Sequence, residues 1–322
     1  MYELLSGNPL IGSLRDLEFR LEVGRSELRD LLDSRRSLYH PFKIQKKQHP
    51  YPGKKRLEKS AAKTTKYRQI DNPVLQLKDI QTRILRRILF RVLLPDYMFG
   101  AVGGRTLTKH AERHVPNQST TVVRMDISSY YPNVTCAHVY FVWNVFLGCP
   151  PPIASLLTQL TTFNYHLPQG APTSPALANI YLASIYAPVC LASKSAELTI
   201  TTWVDDLLFS GPRARTVMNT VRSVLASNGF RIAPEKREIL GPKDEKVITG
   251  ARLGRFQVRA PHRKMSELRA AIHRLAVGAV PSEELATYRQ NLSSRIGHIA
   301  SLNVKDAEKL RRQAKASGVS VT

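Results

Sequence analysis

The sequence predicts an α+β fold in which helical segments flank a mixed β-sheet core. Apolar residues recur at helical intervals near both ends of the chain, over residues 10–34 and 285–299. Between these ends, TVVRMDI at 121–127 is β-branched and alternating, as expected of a strand. The apolar runs TITTWV and LLFSG are separated only by Asp205 and Asp206, which predicts a β-hairpin with both acids at its tip.

The chain of 322 residues is strongly basic, with 48 Lys and Arg against 25 Asp and Glu and a net charge of +23. A charge of this size repels itself and is usually neutralised by a polyanion. Nucleic acid is therefore favoured over a merely solvated basic surface or an anionic membrane. Much of the charge falls in residues 43–70, which we interpret as a phosphate-facing surface in preference to a solvated loop.

The cysteine pattern and the apolar runs indicate a compartment. The three cysteines are odd in number and have no paired spacing, so we expect buried thiols in a reducing cytoplasm, with neither a disulfide framework nor a zinc site. The N-terminal residues show no signal-peptide pattern. The uncharged run at 176–193 is interpreted as a buried core helix and not as a membrane span. We therefore expect a cytoplasmic protein without a membrane partner.

Further elements follow from caps and periodicity. Residues 75–93 carry apolar residues at helical spacing with arginines on the other face. The remaining predictions are a helix capped by Ser174 and running through Tyr186, a helix over 213–228 ended by Gly229, short strands within 231–240 and 246–249, and a last helix opened by Asn303 and Asp306.

Three carboxylates are the candidate chemical groups. Asp126 ends a predicted strand, and Asp205 and Asp206 occupy the hairpin tip. Two neighbouring acids between apolar strands are costly to hold together unless a cation neutralises them. Magnesium prefers such hard oxygen ligands, and two ions about 3.5–4 Å apart would clamp the attacking and leaving oxygens of an in-line displacement. An Asp pair by itself more often marks a solvated turn, so the surrounding motifs decide the interpretation.

Several segments together resemble a known family. The runs RMDISSYYPNV, LPQGAPTSPALANIYL and TTWVDDLLFSG, in this order and spacing, resemble the polymerase motifs of reverse transcriptases, most of all those of the bacterial retron-type branch. A related bacterial reverse transcriptase associated with antiphage defence would fit these motifs too. The segments KYRQIDNPVLQLKDIQTRIL, GFRIAPEKREIL and SSRIGHIASLNVKDAEKLRR resemble the fingers, the fourth motif and the thumb. The resemblance covers about residue 35 to 315. It implies a right-hand polymerase with N-terminal helices and basic fingers over 1–120, a ferredoxin-like palm over 121–260 with fingers elements interleaved around 140–170, and a helical thumb over 261–322.

The resemblance also implies a catalytic site. Asp126, Asp205 and Asp206 would be the catalytic acids and would bind two Mg²⁺ ions, with Mn²⁺ as an alternative ion. The following Ile127 would add a backbone carbonyl. Trp203 departs from the family, in which Tyr is usual at this place, so we expect preserved chemistry with altered packing under the primer terminus.

A second set of residues would bind the incoming nucleotide. Arg68 would grip the triphosphate with its planar guanidinium, and Gln169 and Gly170 would line the nucleotide and template base. Tyr131 would be the steric gate that disfavours a 2′-hydroxyl. Lys236 would lie near the leaving pyrophosphate as a general acid. The structural alternatives are that Lys236 is an ordinary solvated lysine and that Tyr131 is an ordinary core residue. For Gln169 and Gly170 the alternative is a tight turn before a helix.

Four residues are candidate RNA contacts: Lys66, Arg105, His110 and His114. The two histidines belong to the stretch HAERH, where retron enzymes usually carry Asn-Ala-x-x-His, so His110 stands in place of Asn. Their spacing of four residues would also suit metal ligands on one helical face, but no third ligand is apparent in the sequence. An RNA-contacting or structural role is preferred.

The implied activity is RNA-directed DNA polymerisation from dNTPs. Retron-type enzymes copy a structured noncoding RNA, which serves as template and, through a 2′-hydroxyl, as primer for the DNA product, often in antiphage defence beside an effector or toxin protein. Two alternatives stay open. One is a same-fold polymerase with untemplated or RNA-synthesising activity, against which the bulky Tyr131 argues. The other is an RNA-binding scaffold that restrains a toxin, against which the intact acids argue.

Overall fold

A computed structural model describes residues 11–33, 38–45 and 67–320, which divide into two compact units. The first unit contains the described residues within Met1–Pro95, Ser128–Ala187 and Asn228–Phe230. The second contains those within Asp96–Ile127, Pro188–Ser227 and Arg231–Thr322. No unit boundary falls at residue 120 or 260, and the assignment of fingers, palm and thumb stays a prediction.

The described residues form helices and strands in the proportions of an α+β fold. The α-helices are α1 (Leu14–Leu21), α2 (Arg25–Asp33), α3 (Leu75–Arg87), α4 (Leu107–Glu112), α5 (Tyr130–Asn133), α6 (Cys136–Phe141), α7 (Pro151–Thr161), α8 (Ser174–Ile185), α9 (Ala187–Ser195), α10 (Met218–Ser227), α11 (His262–Ala276), α12 (Leu285–Leu302) and α13 (Val304–Ala316). The strands are β1 (Tyr39–Gln45), β2 (Tyr67–Pro73), β3 (Thr121–Asp126), β4 (Thr199–Trp203), β5 (Asp206–Gly211), β6 (Glu238–Leu240), β7 (Val247–Ile248), β8 (Ala251–Leu253) and β9 (Val258–Arg259).

The first unit joins an antiparallel β-ribbon to a set of helices. Strands β1 and β2 pair from Tyr39 opposite Pro73 to Gln45 opposite Tyr67. Helix α3 buries Leu77, Ile80 and Ile84 and packs against α1 and α7. Helix α8 has nine buried residues, as predicted for a core helix.

The second unit contains the sheet that carries the candidate acids. Its antiparallel strands lie in the order β4-β5-β3-β6, so β3 and β5 are central. A smaller sheet follows in the order β7-β8-β9. One apolar cluster joins these sheets to helices α4 and α11–α13, with contributions from Ala111, Val115, Leu208, Leu292 and Leu310.

The structure confirms several local predictions and corrects others. The β4–β5 hairpin forms, and the Asn303 side chain caps α13 by accepting a hydrogen bond from the Asp306 amide at 3.1 Å. The prediction that Ser174 caps α8 is wrong. Thr173 holds the cap position, and the Ser174 hydroxyl instead donates to the Pro168 carbonyl at 2.7 Å.

Two predicted elements are shorter than expected. The helical pattern over 10–34 is divided between α1 and α2, because Glu22 adopts a left-handed conformation with φ of 50° and ends the first helix. The strand expected within 231–240 is confined to β6. The residues before it, Pro234–Lys236, form a 3₁₀ turn, since proline has no amide hydrogen for a strand ladder.

The prediction of buried thiols holds for Cys149 alone, because Cys136 and Cys190 are partly exposed. None of the three forms a disulfide in the described part of the chain. Over the same residues, no single helix is long and apolar enough to cross a membrane, and α8 and α9 meet the criteria only together, as a bent pair.

Candidate active site

The register of the central strands brings two of the predicted acids together. Asp126, the last residue of β3, lies directly opposite Asp206, the first residue of β5. Asp205 precedes it in the hairpin turn, and its carbonyl accepts a hydrogen bond from the Ile127 amide at 2.9 Å. The Asp126 carbonyl accepts another from the Ala233 amide at 2.8 Å. The backbone around both acids is thereby tied to neighbouring segments.

The hairpin turn is strained. Val204 has a φ of 58°, a left-handed conformation that is rare for a β-branched residue. Such strain typically costs about 1–3 kcal/mol and persists where the surrounding structure imposes it. Here Gly100 lies against the turn, so close that a Cβ at this position would lie 2.7 Å from the Val204 amide nitrogen. The adjoining backbone pairs with β4, since the Phe99 amide donates to the Thr202 carbonyl at 2.8 Å.

Two cationic side chains contact the acids. Lys236 Nζ donates to Asp126 Oδ2 at 2.6 Å, so the structure brings this predicted residue to the site. Arg124 Nε lies 3.4 Å from Asp206 Oδ2. The same guanidinium donates to Glu238 Oε2 at 3.3 Å and to the Val247 carbonyl at 2.9 Å. Arg124 therefore links β5, β6 and β7.

Arg124 was not among the predicted site residues. It belongs to no recognised motif position, and an arginine in a basic chain is not conspicuous. Side chains alternate between the two faces of a strand, so residues 124 and 126 lie on the same face of β3. This alternation was the available signal that Arg124 lies near the acids.

The Asp206 carboxyl has a raised pKa. Burial, with a smaller contribution from the negative charges of Asp126 and Asp205, raises this pKa to about 6 against the opposing effects of Arg124 and Lys236. The Asp206 Oδ1 atom is buried and has no hydrogen-bond partner among the residues that the structure describes. An unsatisfied carboxylate oxygen beside two other acids suits a divalent cation, which would offset both the repulsion and the desolvation.

The described residues contain no group of three His, Cys, Asp or Glu side chains already arranged to hold a metal ion. Asp126 and Asp206 lie opposite each other on paired strands, and the Asp126 side chain forms an ion pair with Lys236. A cation would thus be held by the paired acids together with groups from outside the protein, as magnesium commonly is.

Three of the predicted nucleotide-binding residues share one region of the first unit. Arg68 is exposed on β2. Three residues further on, the Asp71 amide donates to the Gln169 carbonyl at 2.7 Å. Gly170 has a φ of 131°, and a Cβ there would lie 3.0 Å from the Asp71 carbonyl oxygen, so glycine permits the close approach. Tyr131, on α5 of the same unit, is partly buried, with its ring centroid 6.3 Å from that of Tyr130.

The predicted RNA contacts differ in their exposure to solvent. His110 and His114 are 1% and 0% exposed and bind side chains of the sheet, so the prediction that they contact RNA is wrong and the structural alternative holds. Arg105 is partly exposed and donates to the Met98 carbonyl, and its contact with RNA stays a prediction. Lys66 lies outside the described residues.

Comparisons with known proteins identify the class of protein. Residues 44–253, more than half of the chain, match the family described as "Reverse transcriptase (RNA-dependent DNA polymerase)". The chain belongs to the reverse transcriptase family and is an RNA-directed DNA polymerase.

The relatives narrow the class to retron-type enzymes. The chain is 26% identical to the retron Ec86 reverse transcriptase of Escherichia coli over 84% of its own length and 81% of the relative's. It is 28% identical to the retron Mx65 reverse transcriptase of Myxococcus xanthus over 78% of its length and 62% of the relative's. These similarities confirm the retron-type resemblance. Among solved structures, telomerase from Candida albicans aligns with a TM-score of 0.44 and 7% identity over 79% of this chain and 61% of that chain, which is too weak to support an inference.

Proposed function

We propose that this chain copies an RNA template into DNA by a two-metal-ion mechanism in which Asp126, Asp205 and Asp206 are the catalytic acids. The observation that carries the proposal is the register of β3 and β5, which sets Asp126 opposite Asp206 and leaves one buried carboxylate oxygen without a partner. A buried carboxylate oxygen is costly unless a charge or a hydrogen bond compensates it.

The donor set is suited to Mg²⁺, with Mn²⁺ as an alternative, because both accept hard carboxylate and carbonyl oxygens. The three acids would hold the ions, and Ile127 would add its backbone carbonyl. When bound, two such ions would polarise the attacking 3′-hydroxyl and stabilise the leaving pyrophosphate.

Lys236 would have two successive partners. In the structure its ammonium group pairs with the Asp126 carboxylate at 2.6 Å. Its side chain is 39% exposed and has a flexible stem, so it is able to move to the leaving pyrophosphate and donate a proton there.

The nucleotide would be bound by Arg68, Gln169 and Gly170, and Tyr131 would exclude ribonucleotides by a clash with the 2′-hydroxyl. The contact between the backbones of β2 and the Gln169–Gly170 loop supports a joint role for the first three. A comparison of dNTP with NTP incorporation tests the gate. We expect wild type to use dNTPs alone and Tyr131→Ala to gain NTP incorporation. Robust NTP incorporation by wild type would contradict the assignment.

The template would be a structured noncoding RNA that also supplies the primer. The net charge of +23 and the two retron relatives support this partner. Basic fingers, with Lys66 and Arg105 among their contacts, and a basic helical thumb would hold the duplex by its phosphates. An antiphage defence role beside an effector or toxin protein would follow. Sequencing of RNA and DNA that co-purify with the protein tests this, and an RNA covalently joined to DNA is the expected result.

The catalytic assignment is tested by the double variant Asp205→Asn, Asp206→Asn. We expect it to lose DNA synthesis and to retain RNA binding, because the substitutions remove metal ligands and leave the basic surface unchanged. Measurement of primer extension and of RNA affinity on the same preparation separates the two properties. Unchanged DNA product would eliminate the proposed site, and RNA binding without DNA synthesis by the wild type would point to an RNA-binding scaffold.

A further inference from the structure

A chain of hydrogen bonds between buried side chains lies behind the acidic hairpin. His110 Nε2 is 2.6 Å from Thr201 Oγ1, and His114 Nε2 is 2.7 Å from the same oxygen. His114 Nδ1 is in turn 2.7 Å from Ser210 Oγ. Thr201 belongs to β4 and Ser210 to β5, so the two imidazoles bind both strands of the hairpin. All four residues are at most 1% exposed.

The direction of the hydrogen bonds follows from the state of one ring nitrogen, His110 Nδ1. Burial lowers the pKa of His110 to about 4 and that of His114 to about 3, so both rings are neutral and each carries one proton. Within the described part of the chain His110 Nδ1 has no hydrogen-bond partner, and a lone pair without a donor is less costly than a buried N–H without an acceptor. His110 Nε2 therefore donates to Thr201, Thr201 donates to His114 Nε2, and His114 Nδ1 donates to Ser210.

The histidines are fixed from their other side. Ala111 and Val115, which adjoin them in the sequence, belong to the apolar cluster shared with α11–α13. The His110 ring also packs near Phe99 and Trp203, with ring centroids 5.1 and 5.6 Å away. The two histidines thus bind the hairpin from a packed scaffold that includes α4 and the apolar cluster.

We propose that His110 and His114 are positioning residues, which hold β4 and β5 in register and thereby fix the carboxylates of Asp205 and Asp206. The inference rests on the proposed function, since it gives the hydrogen bonds a catalytic consequence. A one-residue slip between paired strands reverses the face on which each side chain lies. Thr201 pairs with Leu208, and Ser210 pairs with Thr199, so bonds to both hydroxyls oppose such a slip.

The same scaffold accounts for the strained turn. Gly100 contacts Val204 and Trp203 from the segment that leads into α4, and Thr202 is bonded to that segment through its amide and its carbonyl. Backbone bonds at Thr202 and side-chain bonds at Thr201 thus act on consecutive residues of β4. Together they oppose relaxation of the turn that carries the acids.

The test uses Thr201→Val, which removes the shared hydroxyl and keeps the shape of the side chain. Its matched control is Thr161→Val, because Thr161 is equally buried and uses its hydroxyl only within α7, on the Leu157 carbonyl. For each folded variant, Mn²⁺ affinity is measured by electron paramagnetic resonance without nucleic acid, and kcat and KM for dNTP are measured separately.

We expect Thr201→Val to weaken Mn²⁺ binding about 10-fold or more and to lower kcat to a similar degree without raising KM, as when a partner that orients metal ligands is lost. Thr161→Val should match wild type in all three quantities. Mn²⁺ affinity and kcat equal to wild type in Thr201→Val would overturn the inference. Asp126→Asn tests the proposed function separately, since wild-type Mn²⁺ affinity in that variant would place the metal elsewhere.

A second pair of variants, at His110, tests the inference in case Thr201→Val does not fold. His110 uses only Nε2, and the amide of Gln places a donor at about the same distance from the backbone. His110→Gln should therefore keep Mn²⁺ affinity within about 3-fold of wild type, whereas His110→Leu should lose about 10-fold, in line with the effect of other orienting partners. Equal affinities for the two variants would contradict a role that depends on the hydrogen bond.

Discussion

At the scale of single residues, the Asp206 carboxyl affects the free energy of unfolding. Its pKa of about 6 lies above the ordinary value of 3.8, so the folded protein binds a proton there more tightly than the unfolded chain does. Stability from this group is present below pH 3.8 and is lost as the pH rises through 6. At neutral pH the ionised carboxylate destabilises the metal-free protein.

The substitution Asp206→Asn should therefore stabilise the metal-free protein while it abolishes catalysis. We expect a gain on the order of 2 kcal/mol in the free energy of unfolding at pH 7.5, because the buried charge is removed. Denaturant unfolding at pH 7.5 and pH 4 measures it, and the gain should shrink at the lower pH. A loss of stability at pH 7.5 would show that Asp206 is already well compensated by Arg124.

The buried His110 predicts a dependence of the opposite sign. Its pKa of about 4 lies below the ordinary 6.5, so the unfolded chain takes up a proton first as the pH falls. The free energy of unfolding of the wild type should decrease as the pH falls from 6.5 to 4. For His110→Gln this decrease should be smaller, by on the order of 2 kcal/mol across that window. Parallel pH profiles for the two proteins would refute the assignment.

Motif positions predict which residues lie together at the site, and they do not reveal residues whose partners are distant in the sequence. Asp126 and Lys236 stand at recognisable positions, and the structure joins them. The sequence alone leaves His110 open between RNA contact and a structural role, because its partner Thr201 is 91 residues away in the sequence and nothing in HAERH indicates a buried hydroxyl opposite it. Arg124 was missed for the same reason, since its contacts with Glu238 and Val247 arise only once the strands pair.

At the scale of elements, the hairpin depends on the close approach of Gly100. Replacement by Ala would set a Cβ 2.7 Å from the Val204 amide nitrogen and 2.9 Å from the Trp203 carbonyl carbon, and backbone atoms cannot move aside cheaply. We expect Gly100→Ala to cost about 1–3 kcal/mol of stability and to reduce DNA synthesis.

The matched control is Gly103→Ala, because a Cβ at that position meets no atom within 4 Å. Thermal unfolding and primer extension are compared for the two variants. Equal behaviour of Gly100→Ala and Gly103→Ala would mean that the segment does not support the turn.

Elements with strong periodicity or a clear cap were predictable, and their ends were not. The hairpin, α12 and the Asn303 cap follow from local pattern. The cap of α8 was misplaced by one residue because Ser174 has a competing acceptor in the Pro168 carbonyl, which only the folded turn brings near. The pairing of the segment before Gly100 with β4 has no local signal at all.

At the scale of the whole molecule, the charge of +23 should dominate affinity for RNA. If binding neutralises about six phosphates, affinity should fall about 10³-fold between 50 and 200 mM salt. A filter-binding titration at several salt concentrations measures the slope. The variant Asp205→Asn, Asp206→Asn serves as the control, since it should show the same slope as wild type. A slope near zero would show that RNA is not bound through its phosphates.

The central claim is that Asp126, Asp205 and Asp206 bind divalent cations. The most direct measurement is an X-ray structure with template, primer, dNTP and Mn²⁺, in which anomalous scattering locates the ions. We predict two peaks at roughly 2.1 Å from carboxylate oxygens of these acids, with Lys236 moved from Asp126 toward the triphosphate. Bound nucleic acid and nucleotide without a peak at these acids, and with Lys236 still paired to Asp126, would contradict the account.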